Sequence, residues 1–360
     1  MTLLWINLAI VFLCALSARY FAKLVPITNS GLTIHIKPNK LLVFGALLSL
    51  ILVSGLRAGI GDTFNYRNIF EKNDFTWEYI TSEKDIGFGI LQMIIKNYIS
   101  ADSQMLILIT ALITNLLIVL VLYKYSRLVE LSLYVYITGG LFLVSMNGMR
   151  QLLAAAIAFT AIKFLIDGSF FRYALIVIFA SFFHQSALIL LPMYFLVRFK
   201  AWSKTAIVFI SFSVIVVLGY EQFTALLFTA LEDSQYSAYD EFAEGGANII
   251  RVVVEASPLF VAFLGRKKLQ KIFSDSDFIV NMSLVGLVFM VFSTQEWIFA
   301  RVSIYFQLYQ LILISWLPKL FREKDQKIIY LILIISYFAF YYYEAVITLK
   351  INYVSDFLTL

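Results

Sequence analysis

Met105–Leu122 reads MLILITALITNLLIVLVL, a run without one charged side chain. As a helix, such a run fills the hydrocarbon core of a bilayer, which takes about 20 residues. Comparable runs recur near 3–18, 41–56, 131–146, 149–166, 205–220, 249–264, 279–292, 301–317 and 328–347. Of the 360 residues, 61% are apolar and only 14% charged, with a mean hydropathy of +0.86. A soluble domain spends about a quarter of its residues on charge. The composition therefore excludes a water-soluble enzyme, a disordered scaffold and a disulfide-stapled secreted domain. Cys14 is the only cysteine, so neither an intrachain disulfide nor a cysteine-rich metal site can form.

The stretch Phe171 to Arg198, with His184 and Pro192 inside it, is too long for one helix and short for two. Charge decides between these readings, because cytoplasmic connectors carry an excess of Lys and Arg. The connectors 19–40, 123–130, 265–278 and 318–327 are basic, whereas 57–104 and 221–248 are rich in acids. Placing every basic connector on the cytoplasmic side requires an even number of crossings between Phe171 and Lys204. The expected fold is thus an all-α integral membrane protein of about twelve transmembrane helices, with both termini outside. Two of these helices are short, 171–183 and 185–198, and form a hairpin or re-entrant loop with His184 at its outer tip. The net charge of +5 then reflects cytoplasmic loops facing anionic lipid, with no nucleic acid among the partners.

Residues 3–18 follow no positive n-region and precede no small-residue cleavage site, which predicts a retained anchor and not a signal peptide. No compositional shift marks a second domain, so residues 1–360 are expected to form one polytopic unit with outer loops 57–104 and 221–248. Within the first loop, Ile90, Leu91, Ile94, Ile95 and Tyr98 fall at helical spacing and predict a helix over 86–99 in the outer interface. The second loop ends in Glu244-Gly245-Gly246 and reads either as a lid or as a solvated acidic linker.

Ionisable groups at or inside span ends are costly unless paired or wet, and so point to function. The outward-facing set comprises Arg57, Asp62 and Tyr66, then Arg150 and Gln151, then His184, then Gln295, Glu296 and Arg301. Three separate span ends each deliver an arginine, and a fourth delivers a histidine. Asp62 or Thr63 is placed to cap a short helix that sets Asp62 and Tyr66 one turn apart. Asn147 is a candidate N-cap that would aim free N–H groups outward beside Arg150, an arrangement suited to phosphate. Ala154, Ala155, Ala156, Ala158 and Ala161 allow another helix to approach closely. His184 could take a proton from a hydroxyl nucleophile, or merely hydrogen-bond carbonyls at a turn. Ser293-Thr-Gln-Glu296 fits a capping box, the structural alternative for Glu296. Arg301 opens an apolar helix whose further polar positions are Ser303, Tyr305 and Gln307. There is no Walker A loop and no metal-ligand spacing of His or carboxylates.

Four motifs stand in order along the chain: Gly55-Leu-Arg57 with Gly61-Asp-Thr63 and Tyr66; Asn147-Gly-Met-Arg-Gln-Leu-Leu-Ala154; Phe183-His184-Gln-Ser-Ala-Leu188 leading to Pro192; and Arg301-Val-Ser-Ile-Tyr-Phe306. In these the sequence resembles the EpsG family of bacterial polysaccharide polymerases, which groups with the Wzy O-antigen and capsule polymerases and looks related to O-antigen ligases. The resemblance implies a multi-span glycosyltransferase of the C type in the bacterial cytoplasmic membrane. Its site would face the periplasm or cell exterior. Donor and acceptor would both be undecaprenyl-diphosphate-linked glycans, with no nucleotide sugar, cofactor or metal. A flippase and a chain-length regulator of the same pathway are the implied protein partners. In that chemistry Arg150 and Arg301, with Arg57, would stabilise the leaving diphosphate. His184 would be the base, and Asp62 the alternative base or the residue that orients Arg57. Tyr66, Gln151, Gln295, Glu296 and Tyr305 complete the expected substrate-binding set.

Two other readings share these features. A transporter or flippase of lipid-linked sugar or a small solute fits twelve spans, although the polar groups lie on one side and no similar halves are visible. An O-antigen ligase-like transferase shares the chemistry but ends each chain once.

Overall fold

The structure, a computed structural model, describes residues 1–24, 36–204 and 246–358, together with 208 and 211. It is almost wholly helical; a two-residue ladder pairs Lys23–Leu24 with Ile36–Lys37. The helices are α1 Thr2–Tyr20, α2 Lys40–Gly55, α3 Thr63–Lys72, α4 Trp77–Ser82 and α5 Ile86–Ile94, the last extended by a wider turn over Ile95–Ile99. They continue with α6 Ser103–Tyr125, α7 Val129–Thr138, α8 Leu141–Asn147, α9 Met149–Phe159, α10 Ile162–Ile166 and α11 Phe170–Ser181. A 3-10 turn over Gln185–Ile189 leads into α12 Leu190–Leu196. After residue 246 come α13 Ile249–Leu264, α14 Arg266–Ile272, α15 Ser276–Phe292, α16 Ile298–Trp316 and α17 Glu323–Tyr341, which runs on as a wide turn to Thr348.

Several of these helices start where the sequence supplies a cap. Asn39 accepts the Leu41 and Leu42 N–H groups at the head of α2, and Asp102 accepts the Gln104 N–H at the head of α6. The helix expected over 86–99 is present as α5 and its extension.

Among the described residues, four helical stretches are long and apolar enough to cross a membrane: Thr2–Tyr20, Ser103–Tyr125, Ile298–Leu320 and Glu323–Thr348. A fifth counts if α7 and α8, bent by 54°, form one broken span. The remaining apolar runs make shorter helices, among them Lys40–Gly55, Met149–Phe159, Phe170–Ser181, Gln185–Leu196 and Ser276–Phe292. The count of about twelve full spans is therefore not reached by length. Two runs expected to be continuous are interrupted: 131–146 breaks at Gly139-Gly140, where Gly140 has φ +94°, and 149–166 breaks after Phe159. The run 205–220 and loop residues 221–245 lie outside the described residues, apart from 208 and 211. Large apolar side chains such as Phe171, Leu175, Leu331 and Ile335 face outward, as a lipid-facing surface requires.

At the centre stands α9. Its alanines 154, 155, 156 and 158 are buried, and the small side chains let α6, α11 and α16 pack directly against it. The short helices α11 and α12 pack on each other around His184, the expected hairpin. The basic connectors gather at one end of the bundle. There Arg19 pairs with Glu130 at 2.7 Å, and the Arg127 N–H donates to Ser315. The turns around Arg57, Arg150 and His184 meet at the opposite ends of these helices.

The C-terminal end of α2 is closed by side chains from across the chain. A helix leaves its last carbonyls without intrahelical partners. Here Val53 O accepts from Tyr353, Ser54 O from Arg57, Gly55 O from Gln104, Leu56 O from Ser355 and Arg57 O from Arg67. Val354 O adds a bond from the Ala58 N–H at 2.7 Å, so residues 353–355 are clasped to the turn. Just beyond, Gly61 has φ +51°, and a Cβ there would overlap the Asn147 side chain.

Tyr353→Phe removes one of these donors and should lower stability by about 1 kcal/mol. Gly61→Ala forces both the dihedral and the contact and should cost about 2 kcal/mol or more. Thermal melting of the detergent-solubilised protein checks the order, with Gly61→Ala the less stable variant.

Candidate functional site

Arg57 is 1% exposed and spends its donors on its own surroundings. Nε donates to Thr63 Oγ1 at 2.9 Å, Nη1 to Ser54 O, and Nη2 lies 3.6 Å from Met149 Sδ. Burial brings its pKa down to about 10, so the guanidinium stays charged at neutral pH. Its place is beneath the site, where it ties the end of α2 to the starts of α3 and α9. Asp62 immediately precedes α3 but its side chain makes no capping bond; its carbonyl accepts the Tyr66 N–H, which sets the two residues one turn apart as expected. Asn147 does not cap α9. It ends α8, and its side-chain oxygen accepts the Asp62 N–H at 3.0 Å; Gly148 precedes α9. The reason is the tight backbone at Gly61, which brings an unpaired N–H onto that amide.

Arg150, in the first turn of α9, forms an ion pair with Asp85 at 3.0 Å. Its guanidinium also lies 6.0 Å from the Tyr66 ring, which packs edge-on against Phe88 of α5. Asp85 accepts the Gln185 N–H at 3.3 Å, and the Gly87 N–H donates to Phe182 O at 2.7 Å. The start of α5 is thereby fastened to the hairpin tip. Gly87 is required by that approach, since a Cβ would overlap Phe182.

His184 is held from the other side. Its Nδ1 bonds Ser186 Oγ at 2.7 Å, and Ser186 Oγ bonds Tyr305 OH at 2.8 Å. Gln151 Nε2 donates to Arg301 O at 2.9 Å, and the Gln151 amide also reaches Tyr305. Burial lowers the His184 proton affinity; the Asp85 carboxylate opposes this, and Arg150 and Arg301 reinforce it. The Arg301 guanidinium is exposed and lies 5.0 Å from the Trp297 ring.

The structure therefore brings Tyr66, Arg150, Gln151, His184, Arg301 and Tyr305 into one neighbourhood, with Asp62 at its edge and Arg57 below. Gln295 is exposed in the turn between α15 and α16, followed by Glu296. The capping box expected over 293–296 is not formed: Ser293 closes α15, and its hydroxyl donates to Met290 O.

Sequence reading missed Asp85 and Ser186. Ser186 lay inside the quoted His184 motif, two residues from the imidazole it binds. Asp85 carried one signal, its position just before the apolar pattern of α5.

Ser186→Ala removes the bridge between His184 and Tyr305. Melting should change by about 1 kcal/mol or less, because an alanine there leaves Tyr305 able to bond Gln151. A fall greater than that in the melting curve argues that the bridge is structural.

No curated protein and no solved structure matches the chain. A family model described as the EpsG family matches residues 40–355, a span that includes every residue of this neighbourhood. The chain belongs to the EpsG family, a group of polysaccharide-biosynthesis membrane proteins associated with Wzy-type polymerases.

Proposed function

We propose that the chain is a polysaccharide polymerase that joins undecaprenyl-diphosphate-linked repeat units on the outer face of the bacterial cytoplasmic membrane. The observation that carries this reading is the meeting of two guanidinium groups and one imidazole from three separate helical segments. Arg150 stands on α9, Arg301 on α16 and His184 at the tip between α11 and α12. In this reading the short helices complete about twelve crossings, with the basic end of the bundle in the cytoplasm.

The chemistry follows from charge. Transfer of the growing glycan breaks the bond between its anomeric carbon and a phosphate oxygen and forms a bond to a hydroxyl of the incoming unit. Negative charge develops on the departing diphosphate, and Arg150 and Arg301 are positioned to stabilise it. The hydroxyl proton goes to His184. In the tautomer whose Nδ1–H donates to Ser186 Oγ, Nε2 is the ring nitrogen that receives it. Attack opposite the leaving group inverts the anomeric centre. Tyr66 stands beside Arg150, the buried Gln151 and Tyr305 hold the Arg301 carbonyl and Ser186 in place, and Gln295 and Glu296 complete the proposed substrate-binding set. Asp62 remains the alternative base, and Arg57 serves as a positioning residue. The partners are the lipid-linked donor and acceptor, with a flippase and a chain-length regulator of the same pathway.

The test is purified protein supplied with lipid-linked repeat units and no energy source. A ladder of products supports the polymerase; a single addition indicates a ligase-like transferase, and translocation without new glycosidic bonds indicates a transporter.

Arg150→Ala and Arg301→Ala should each lower kcat by about 10²-fold, near 3 kcal/mol of barrier. Wild-type rates in both would overturn the assignment. The pH–rate profile is a separate check. A base whose proton affinity is lowered by burial is neutral above its pKa, so the acid limb of kcat/KM, which reports the donor-free protein, should lie below the ordinary imidazole range. An acid limb of kcat/KM at or above pH 7 assigns the base to another group.

A further inference from the structure

Asp85 lies where an acid is least expected, with its carboxylate against the arginine that is to hold an anion. Oδ2 is 3.0 Å from Arg150 Nη1, and Oδ1 is 3.3 Å from the N–H of Gln185, the residue after His184. Its side chain is 11% exposed against 42% for Arg150, so the carboxylate is the enclosed partner and the guanidinium the open one. The backbone beside it is fixed as well, through the Gly87 N–H to Phe182 O bond at 2.7 Å. One carboxylate thus joins the start of α5, the head of α9 and the hairpin tip.

We infer that Asp85 is a positioning residue that couples donor binding at Arg150 to the proton affinity of His184. The inference rests on the reading of His184 as the base. Around the imidazole stand Asp85 from the start of α5, Arg150 from α9, Arg301 from α16, and the hydroxyls of Ser186 and Tyr305. The two arginines oppose a proton on His184, and Asp85 favours one. A diphosphate that takes up the positive charge of Arg150 and Arg301 leaves the Asp85 carboxylate unopposed. The imidazole then becomes a stronger base when the donor is in place, and a weaker one when it is absent. Asp85 also competes with the diphosphate for Arg150, so its charge weakens donor binding while it strengthens catalysis.

The experiment follows the titration of His184 directly. Diethyl pyrocarbonate modifies neutral imidazole, and mass spectrometry reports His184 and the internal reference His35 in the same sample. In Asp85→Asn the amide oxygen can still accept the Gln185 N–H, but the charge is gone. The midpoint for His184 should move down by about one pH unit, with His35 unmoved. Adding inorganic pyrophosphate should raise the midpoint in the wild type and do so less in Asp85→Asn. In turnover assays Asp85→Asn should lower both kcat and the donor KM, by about tenfold and a few-fold respectively. Asp85→Ala also loses the anchor of the tip and should lose more kcat. An unmoved His184 midpoint in Asp85→Asn overturns the coupling, as does activity lost in both variants only in proportion to a lowered Tm. His184→Ala separates the two questions: a wild-type rate there refutes the base, while the modification midpoints still decide the role of Asp85.

Discussion

A guanidinium that is 1% exposed has to be solvated by the protein, and the burial of Arg57 organises one end of this molecule. Removing such a charge from water costs several kcal/mol unless fixed dipoles replace the hydration. The replacements are Thr63 Oγ1, the Ser54 carbonyl and Met149 Sδ, which belong to α3, α2 and α9. Satisfying one cation therefore fixes the relative placement of three helices. The same turn brings Gly61 against Asn147, and the Asp62 N–H onto the Asn147 side chain, so α8 is drawn into the arrangement as well.

Above that buried cation lies a second layer in which charge is deliberately left accessible. Arg150 and Arg301 expose their guanidiniums, while Asp85, which pairs with Arg150, and Gln151, which bonds the Arg301 carbonyl, are enclosed. This division leaves two cationic donors open to an anion. The enclosed Asp85 carboxylate fixes where the open Arg150 guanidinium points. The hairpin tip enters the same layer because α9 is faced with alanine. A bulkier stripe would hold α11 and the 3-10 turn away, and His184 with them.

How much of this could be read from the chain depended on range. Apolar runs such as 105–122 announced helices, and the basic connectors announced which ends belong together, because both are properties of contiguous residues. The arginines and His184 were legible for a related reason: a charged group at a span end is conspicuous against apolar neighbours. The breaks at Gly139-Gly140 and after Phe159 were hidden, since composition stays apolar through them and only tertiary packing selects the bend. Arg57 looked like a ligand donor. Nothing local showed that Met149, 92 residues away, would close over it. Asp85 was obscured by an acid-rich loop in which no single carboxylate stands out. Its partner Arg150 and its contact at Gln185 are both remote in sequence.

The clasp of residues 353–355 on the end of α2 bears on how the protein is made. Tyr353 meets Val53 from 300 residues further along the chain. During synthesis α2 is made long before that partner leaves the ribosome, so its terminal carbonyls must stay hydrated or make temporary bonds until it does. Closure of this end of α2 by residues 353–355 therefore comes late, after the intervening helices have been made.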